Sequence, residues 1–190
     1  MKKKLNLFFI AALALAISCG NPNKQEDSAE VAEDQNEEKF NDSNLEKDTE
    51  FAVEAADGGM LEVELGKLAQ TNGSSPQVKK FGQMMADDHS KANDELKALA
   101  QQKNITLPAA LSDKHQKKYN DLAEKKGKEF DKDYIDFMVS DHKEDVNLFE
   151  KQAEDGNDAD LKTWAAGKVP TLRHHLEMAQ AAQDVVKNNK

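Results

Sequence analysis

A chain of 190 residues carrying 36 acidic against 26 basic side chains, for a formal charge of −10, repels a polyphosphate backbone, which excludes nucleic-acid binding. Aromatic residues make up only 6% and there is a single cysteine, so neither a strand-built core nor a disulfide framework has the material it needs.

The chain opens with Lys2, Lys3 and Lys4, an apolar run from Leu5 to Ile17 and the small residue Ser18, the pattern of an export signal over residues 1–18. The run is too short to span a membrane, which takes about 20 apolar residues. It ends in LAISCG, which resembles the lipobox of bacterial lipoproteins, where the cysteine is acylated and becomes the first mature residue. Lipidation at Cys19 is therefore expected, with the membrane as a partner through that anchor. Gly20 brings none of the acidic character associated with inner-membrane retention, so the outer membrane is the expected location, on its periplasmic or surface face. Residues 19–50 are rich in carboxylates and hold only Val31, Phe40 and Leu45 as large apolar side chains. Such a stretch buries too little to offset its chain entropy, and a disordered acidic tether is expected. A folded domain is expected over residues 51–190.

In that domain Ala, Lys, Glu, Asp and Leu dominate, which predicts an all-α fold. Helix one is expected from about Asp48 to Thr71, capped by Asp48 or Thr49 and stopped by Asn72-Gly73. A second helix opens at Ser74-Ser75-Pro76, cap residues before a first-turn proline, and closes before Leu107-Pro108. The third starts near Ser112-Asp113 and is interrupted around Gly127, its long half running from about Phe130 to Glu154. After the turn Asp155-Gly156-Asn157-Asp158 the fourth runs to the C-terminus, with Pro170 expected to kink or divide it. Short connections predict an antiparallel up-down-up-down four-helix bundle.

Two pentapeptides answer each other: MADDH at Met85 to His89 and MVSDH at Met138 to His142. On the second helix Val78, Gly82, Met85, His89, Ala92, Leu96 and Leu99 form one stripe, and on the third Ile135, Met138, His142, Val146, Phe149 and Ala153 do the same. The fourth offers Leu161, Trp164 or Ala165, Leu172, His175, Ala179 and Val186, with His174 about 100° away on the flank. Helix one places Glu62 in the stripe Phe51, Ala55, Gly58, Glu62, Leu65, Ala69. All four polar residues fall near mid-helix, so one layer of a bundle is expected to hold Glu62, His89, His142 and His175. One carboxylate with neutral imidazoles suits zinc, iron, copper or nickel, with Asp88 and Asp141 as an outer shell that orients the rings. Two functions stay open: transition-metal binding for sequestration or stress protection, and a non-catalytic structural or interaction module recognised by another envelope component, with the histidines as core packing.

His115 is expected at the surface, and Arg173, the only arginine, in a structural salt bridge. Gly58-Gly59 is expected to permit close helix contact, since no glycine-rich phosphate loop occurs. No Ser or Thr pairs with a His-Asp set, so nucleophilic hydrolysis has no support and an enzyme is not expected.

The runs FAVEAADGGMLEVELGKLA, VKKFGQMMADDHSKANDELKALA, LPAALSDKHQ, FDKDYIDFMVSDHKEDVNLFEKQA and VPTLRHHLEMA resemble the bacterial envelope family called domain of unknown function 4142. The resemblance implies a ferritin-like four-helix bundle, exported and often lipid-anchored, and marks Glu62, Glu64, Asp88, His89, Asp141, His142 and His175 as shared positions. Ferritin-like di-iron enzymes place a glutamate three residues before the ligating histidine. Here Ala86, Val139 and Leu172 stand in those places, so the carboxylate set that activates oxygen is not reproduced.

Overall fold

The computed structural model describes residues 26–41 and 43–188, and the signal and Cys19 lie outside them. Among the described residues there are six helices and no strand: α1 (Ser28–Phe40), α2 (Glu46–Asn72), α3 (Pro76–Lys103), α4 (Asp113–Ala123), α5 (Gly127–Asp155) and α6 (Ala159–Asn188). None is long and apolar enough to cross a membrane. Pro76 fits the first turn of α3, where its missing N–H costs nothing, and Asn104 ends the helix in the left-handed conformation at φ 58°. Gly127 opens α5 at φ 63°, a conformation glycine adopts without strain. Pro170 does not divide α6. It sits on the exposed side, so the Ala166 carbonyl it leaves without a helical donor is free to meet water.

The four long helices lie side by side, α2 against α3 and α5, α6 against α5 and α3. Two apolar clusters fill the space between them. One contains Leu65, Phe81, Met85, Phe130, Tyr134, Met138 and Ala179. The other contains Phe51, Leu96, Val146, Phe149, Leu161 and Leu172.

The order in which each helix visits the clusters sets its direction. α2 and α6 run from the second cluster to the first, whereas α3 and α5 both run from the first to the second. The up-down-up-down order expected from the sequence is therefore wrong: the order is up, down, down, up. Its premise, a short connection after α3, fails because residues 104–126 travel back along α2. Within that connection Ser112 N–H donates to Asp57 midway along α2, and the Ala123 carbonyl accepts from Asn72 at its end.

The disordered tether also needs correction, because residues 28–40 form α1 and Glu46 already belongs to α2. Residues 28–40 bury few apolar side chains, Ala32 and Phe40 among them, and polar contacts add to the hold on α1. Asn36, 1% exposed, donates to the Thr106 carbonyl at 2.8 Å and accepts from its N–H at 2.7 Å. Asp27 accepts from the Asp113 N–H at 2.7 Å, and the Ser28 hydroxyl from those of Ala109 and Ala110. The packed body thus begins near Asp27, not at residue 51.

Asp48, expected to cap its own helix, instead accepts from the backbone N–H groups of Asn157 and Asp158 and from Gln152, tying the start of α6 to α2. Asp131 does the same for α3, accepting from the N–H groups of Ser74 and Ser75 and from the Ser74 hydroxyl. Each buried carboxylate satisfies helix-end donors that lack intrahelical partners.

The close approach of α2 and α3 falls at Gly66 and Gly82 rather than at the Gly58-Gly59 pair, where Gly58 faces open space and Gly59 meets only the Asn93 side chain. A Cβ on Gly66 would overlap the Gly82 carbonyl and the Ala86 nitrogen, backbone atoms that cannot swing away. Gly66→Ala is therefore expected to destabilise by about 1 to 3 kcal/mol, although alanine is the better helix former. Chemical denaturation reads this, and a gain in stability would show that the helices separate freely.

Candidate metal centre

Between the two apolar clusters lies a polar layer. Glu62 of α2, His89 of α3, His142 of α5 and His175 of α6 are all buried, the least so being His89 at 6%. The heptad-like spacing of the apolar stripes turns these side chains inward, and burial at the middle of each helix brings them to one level. The three imidazole centroids are 5.3 to 5.6 Å apart. Ligand-capable nitrogens of His89, His142 and His175 all lie within 4.8 Å of one another, so the group could hold a metal ion.

The carboxylates stand behind the rings. Glu62 Oε2 is 2.6 Å from His89 Nδ1, and its other oxygen is 3.4 Å from His142 Nε2. Asp88 Oδ2 is 2.9 Å from His175 Nε2, so it orients a ring on α6 instead of its sequence neighbour His89. This leaves His89 Nε2, His142 Nε2 and His175 Nδ1 buried without a hydrogen-bond partner. An unpaired buried polar atom costs about 1 to 3 kcal/mol, and three on facing rings invite a shared partner.

Burial holds these rings neutral, the form a metal requires. It pulls His89 down to about 4 against the charges of Asp141 and Asp88, and His175 to about 4 against its hydrogen bond to Asp88. His142 is pushed well below the usual value by burial and by the other two rings. Burial also drives Glu62 well above the ordinary carboxylate range.

Asp141 departs from the outer-shell role expected for it. With Glu62, His142 and Asp145 it forms a second group whose donor atoms also lie within 4.8 Å of one another. Burial and the Glu62 charge raise Asp141 to about 8, and burial raises Asp145 well above its usual value. Asp145 was missed by the sequence reading, although Asp141 and Asp145 stand four apart on one face of α5, a legible spacing.

His115 is not at the surface. Its Nδ1 lies 2.9 Å from Asp57 Oδ2, with the ring side chain 15% exposed. Burial lowers its pKa, but the hydrogen bond and charge of Asp57 outweigh that and the net direction is up. His174 is exposed, and Arg173 pairs with Glu150. Met85 and Met138 pack in the apolar core.

A cleft between α3 and α6 leads to the layer. Trp164 and Lys168 stand with Asp88 and Lys91 along it, and Glu62, His89 and His175 line its inner part.

The arrangement defines an all-helical protein with a buried three-histidine group braced by carboxylates. The model of one family, described as Domain of unknown function (DUF4142), matches residues 29–182, and the chain belongs to that family. The match includes α1, in agreement with a packed body that starts before residue 51. Comparison with curated proteins and with solved structures finds no match.

Proposed function

We propose that the chain binds one transition-metal ion between His89, His142 and His175, in a ferritin-like four-helix bundle that sequesters metal in the cell envelope. The carrying observation is the set of three facing imidazoles, each with a buried nitrogen that lacks a partner, two of them braced from behind by Glu62 and Asp88. Carboxylate-braced histidines of this kind suit zinc, copper, nickel or ferrous iron. Glu62, first read as a ligand, fits better as the brace of His89. The up-down-down-up order with one long crossover supports the ferritin-like reading.

The export signal and the LAISCG ending support lipidation at Cys19 and an outer-membrane location. With α1 beginning at Ser28, the link from Cys19 to the packed body is short, at most about 3.3–3.6 Å per residue. The body would then ride close to the lipid surface.

Titration of the purified chain with zinc, copper, nickel and ferrous iron by calorimetry tests the reading. One equivalent should bind, and metal at a hundred times its dissociation constant should add about 2.7 kcal/mol of stability. His89→Ala with His142→Ala should abolish both effects, while His174→Ala, an exposed ring, should leave them intact. Absence of micromolar binding, or binding untouched by the double substitution, would make the rings core packing in a non-catalytic module.

A further inference from the structure

We propose that a second divalent cation, of the hard, oxygen-preferring kind represented by Mn2+, binds beside the three-histidine group, held by Glu62, Asp141 and Asp145. The proposal extends the metal reading of the layer and rests on it for the shared residue His142, but its donors are otherwise distinct.

Three observations carry it. Donor atoms of Glu62, Asp141, Asp145 and His142 converge within 4.8 Å. Glu62 Oε1 and Asp145 Oδ2 are buried without an N–H or hydroxyl donor, Glu62 as a residue is 2% exposed, and these two acids meet each other only through a shared proton. A carboxylate oxygen withdrawn from water without a donor is costly, and a cation bound by these two oxygens, with Asp141 as a third ligand, removes that cost.

The third observation is an approach from a different side. A cleft among α1, α2, α4 and α5 has Asp141 and Asp145 among its lining, with Glu30, Glu33, Glu54 and Glu144 along its walls. Lys114 and His115 are the basic groups on that lining. A concave surface so rich in one sign of charge raises the local concentration of counter-ions. The three-histidine group, by contrast, is reached from the cleft beside Trp164, and Asp145 lines both.

Donor chemistry separates the two positions. Imidazoles favour zinc, copper and nickel, whereas carboxylates and water favour manganese and magnesium. A neutral imidazole has one lone pair to give, so His142 serves one ion at a time and the carboxylate position relies on its three acids.

The test uses the purified full-length chain, stripped of metal and loaded with one equivalent of Zn2+. Added Mn2+ is followed by the electron paramagnetic resonance signal of the free aqueous ion, which binding removes. One further equivalent of Mn2+ should bind, a measurement that needs no variant to fold. Asp141→Asn with Asp145→Asn, isosteric changes, should weaken Mn2+ at least tenfold while the visible bands of Co2+ at the histidines persist. His89→Ala with His175→Ala should remove the Co2+ bands and leave Mn2+ bound. If Mn2+ does not bind, binds equally to the Asn variant, or is lost with the histidine pair, there is no separate carboxylate position. Failure of the unsubstituted chain to bind Co2+, with Mn2+ still bound, would count against the three-histidine reading only.

Discussion

Asp131→Ala should lower the unfolding free energy by about 3 to 5 kcal/mol, more than most single changes outside the apolar core. Asp131 is 2% exposed, and its carboxylate accepts two backbone N–H groups and one hydroxyl at the start of α3. Hydrogen bonds to a charged acceptor contribute about 1.5 to 3 kcal/mol each, and truncation removes all three, leaving the part-buried N–H groups of Ser74 and Ser75 to seek water. Asp131→Asn keeps one acceptor oxygen and should cost roughly half as much. Guanidinium denaturation of both variants reads the difference. A loss below about 1 kcal/mol for the alanine variant would mean that Ser74 and Ser75 find other acceptors.

The metal-free chain should lose stability as pH rises from 6.5 to 8, by about 2 kcal/mol or more. Asp141 titrates near 8 in the folded state but near 3.8 when unfolded, so between those values the native state holds a proton that the unfolded state has released. Stability then falls with rising pH at 1.36 kcal/mol per unit for each such proton. Glu62 and Asp145, both raised, act in the same direction, and so does His115 with its raised value. His89, His142 and His175 act oppositely, because their depressed values mean that the unfolded state takes up protons first as pH drops below 6.5. Below 6.5 the two sets oppose each other, so the dependence on pH should be weaker there than above it. Above 6.5 the unfolded rings are already neutral, and the carboxylates act alone. It does not matter whether Glu62 or His89 keeps the proton they share, since only the total count enters. Denaturation midpoints in chelator at pH 5.5, 6.5 and 8 test this, with Asp141→Asn expected to flatten the alkaline limb. A midpoint that rises toward pH 8 would show that these acids are ionised in the folded chain.

The inward face of each long helix was legible because apolar residues at three- and four-residue steps leave little freedom in which side is buried. His89, His142 and His175 were found for that reason: each interrupts a stripe whose other members are apolar or small. The brace formed by Asp88 was not, since nothing along α3 says that its side chain reaches a ring on α6. The direction of α5 was missed because it depends on the path of residues 104–126, whose attachments are isolated apolar anchors such as Ile105 and Leu122 and single polar contacts such as Asp57 with Ser112. α1 escaped notice for the same physical cause, Asn36 and Asp27 carrying no hydropathic signal. Hydrogen bonds between residues some 70 to 86 positions apart leave no periodic trace.

The carboxylates that fasten helix starts also bear on how long the folded chain survives. Asp48 meets Asn157 across 109 residues, and Asp131 meets Ser74 across 57. Contacts that close such long loops bring their reward only after most of the chain is ordered, so they form late, beyond the folding transition state. Interactions absent from that state slow unfolding without speeding folding. Asp48 and Asp131 therefore act as brakes on escape from the native state, and removing either should shorten the half-life of the folded protein while its rate of folding scarcely changes.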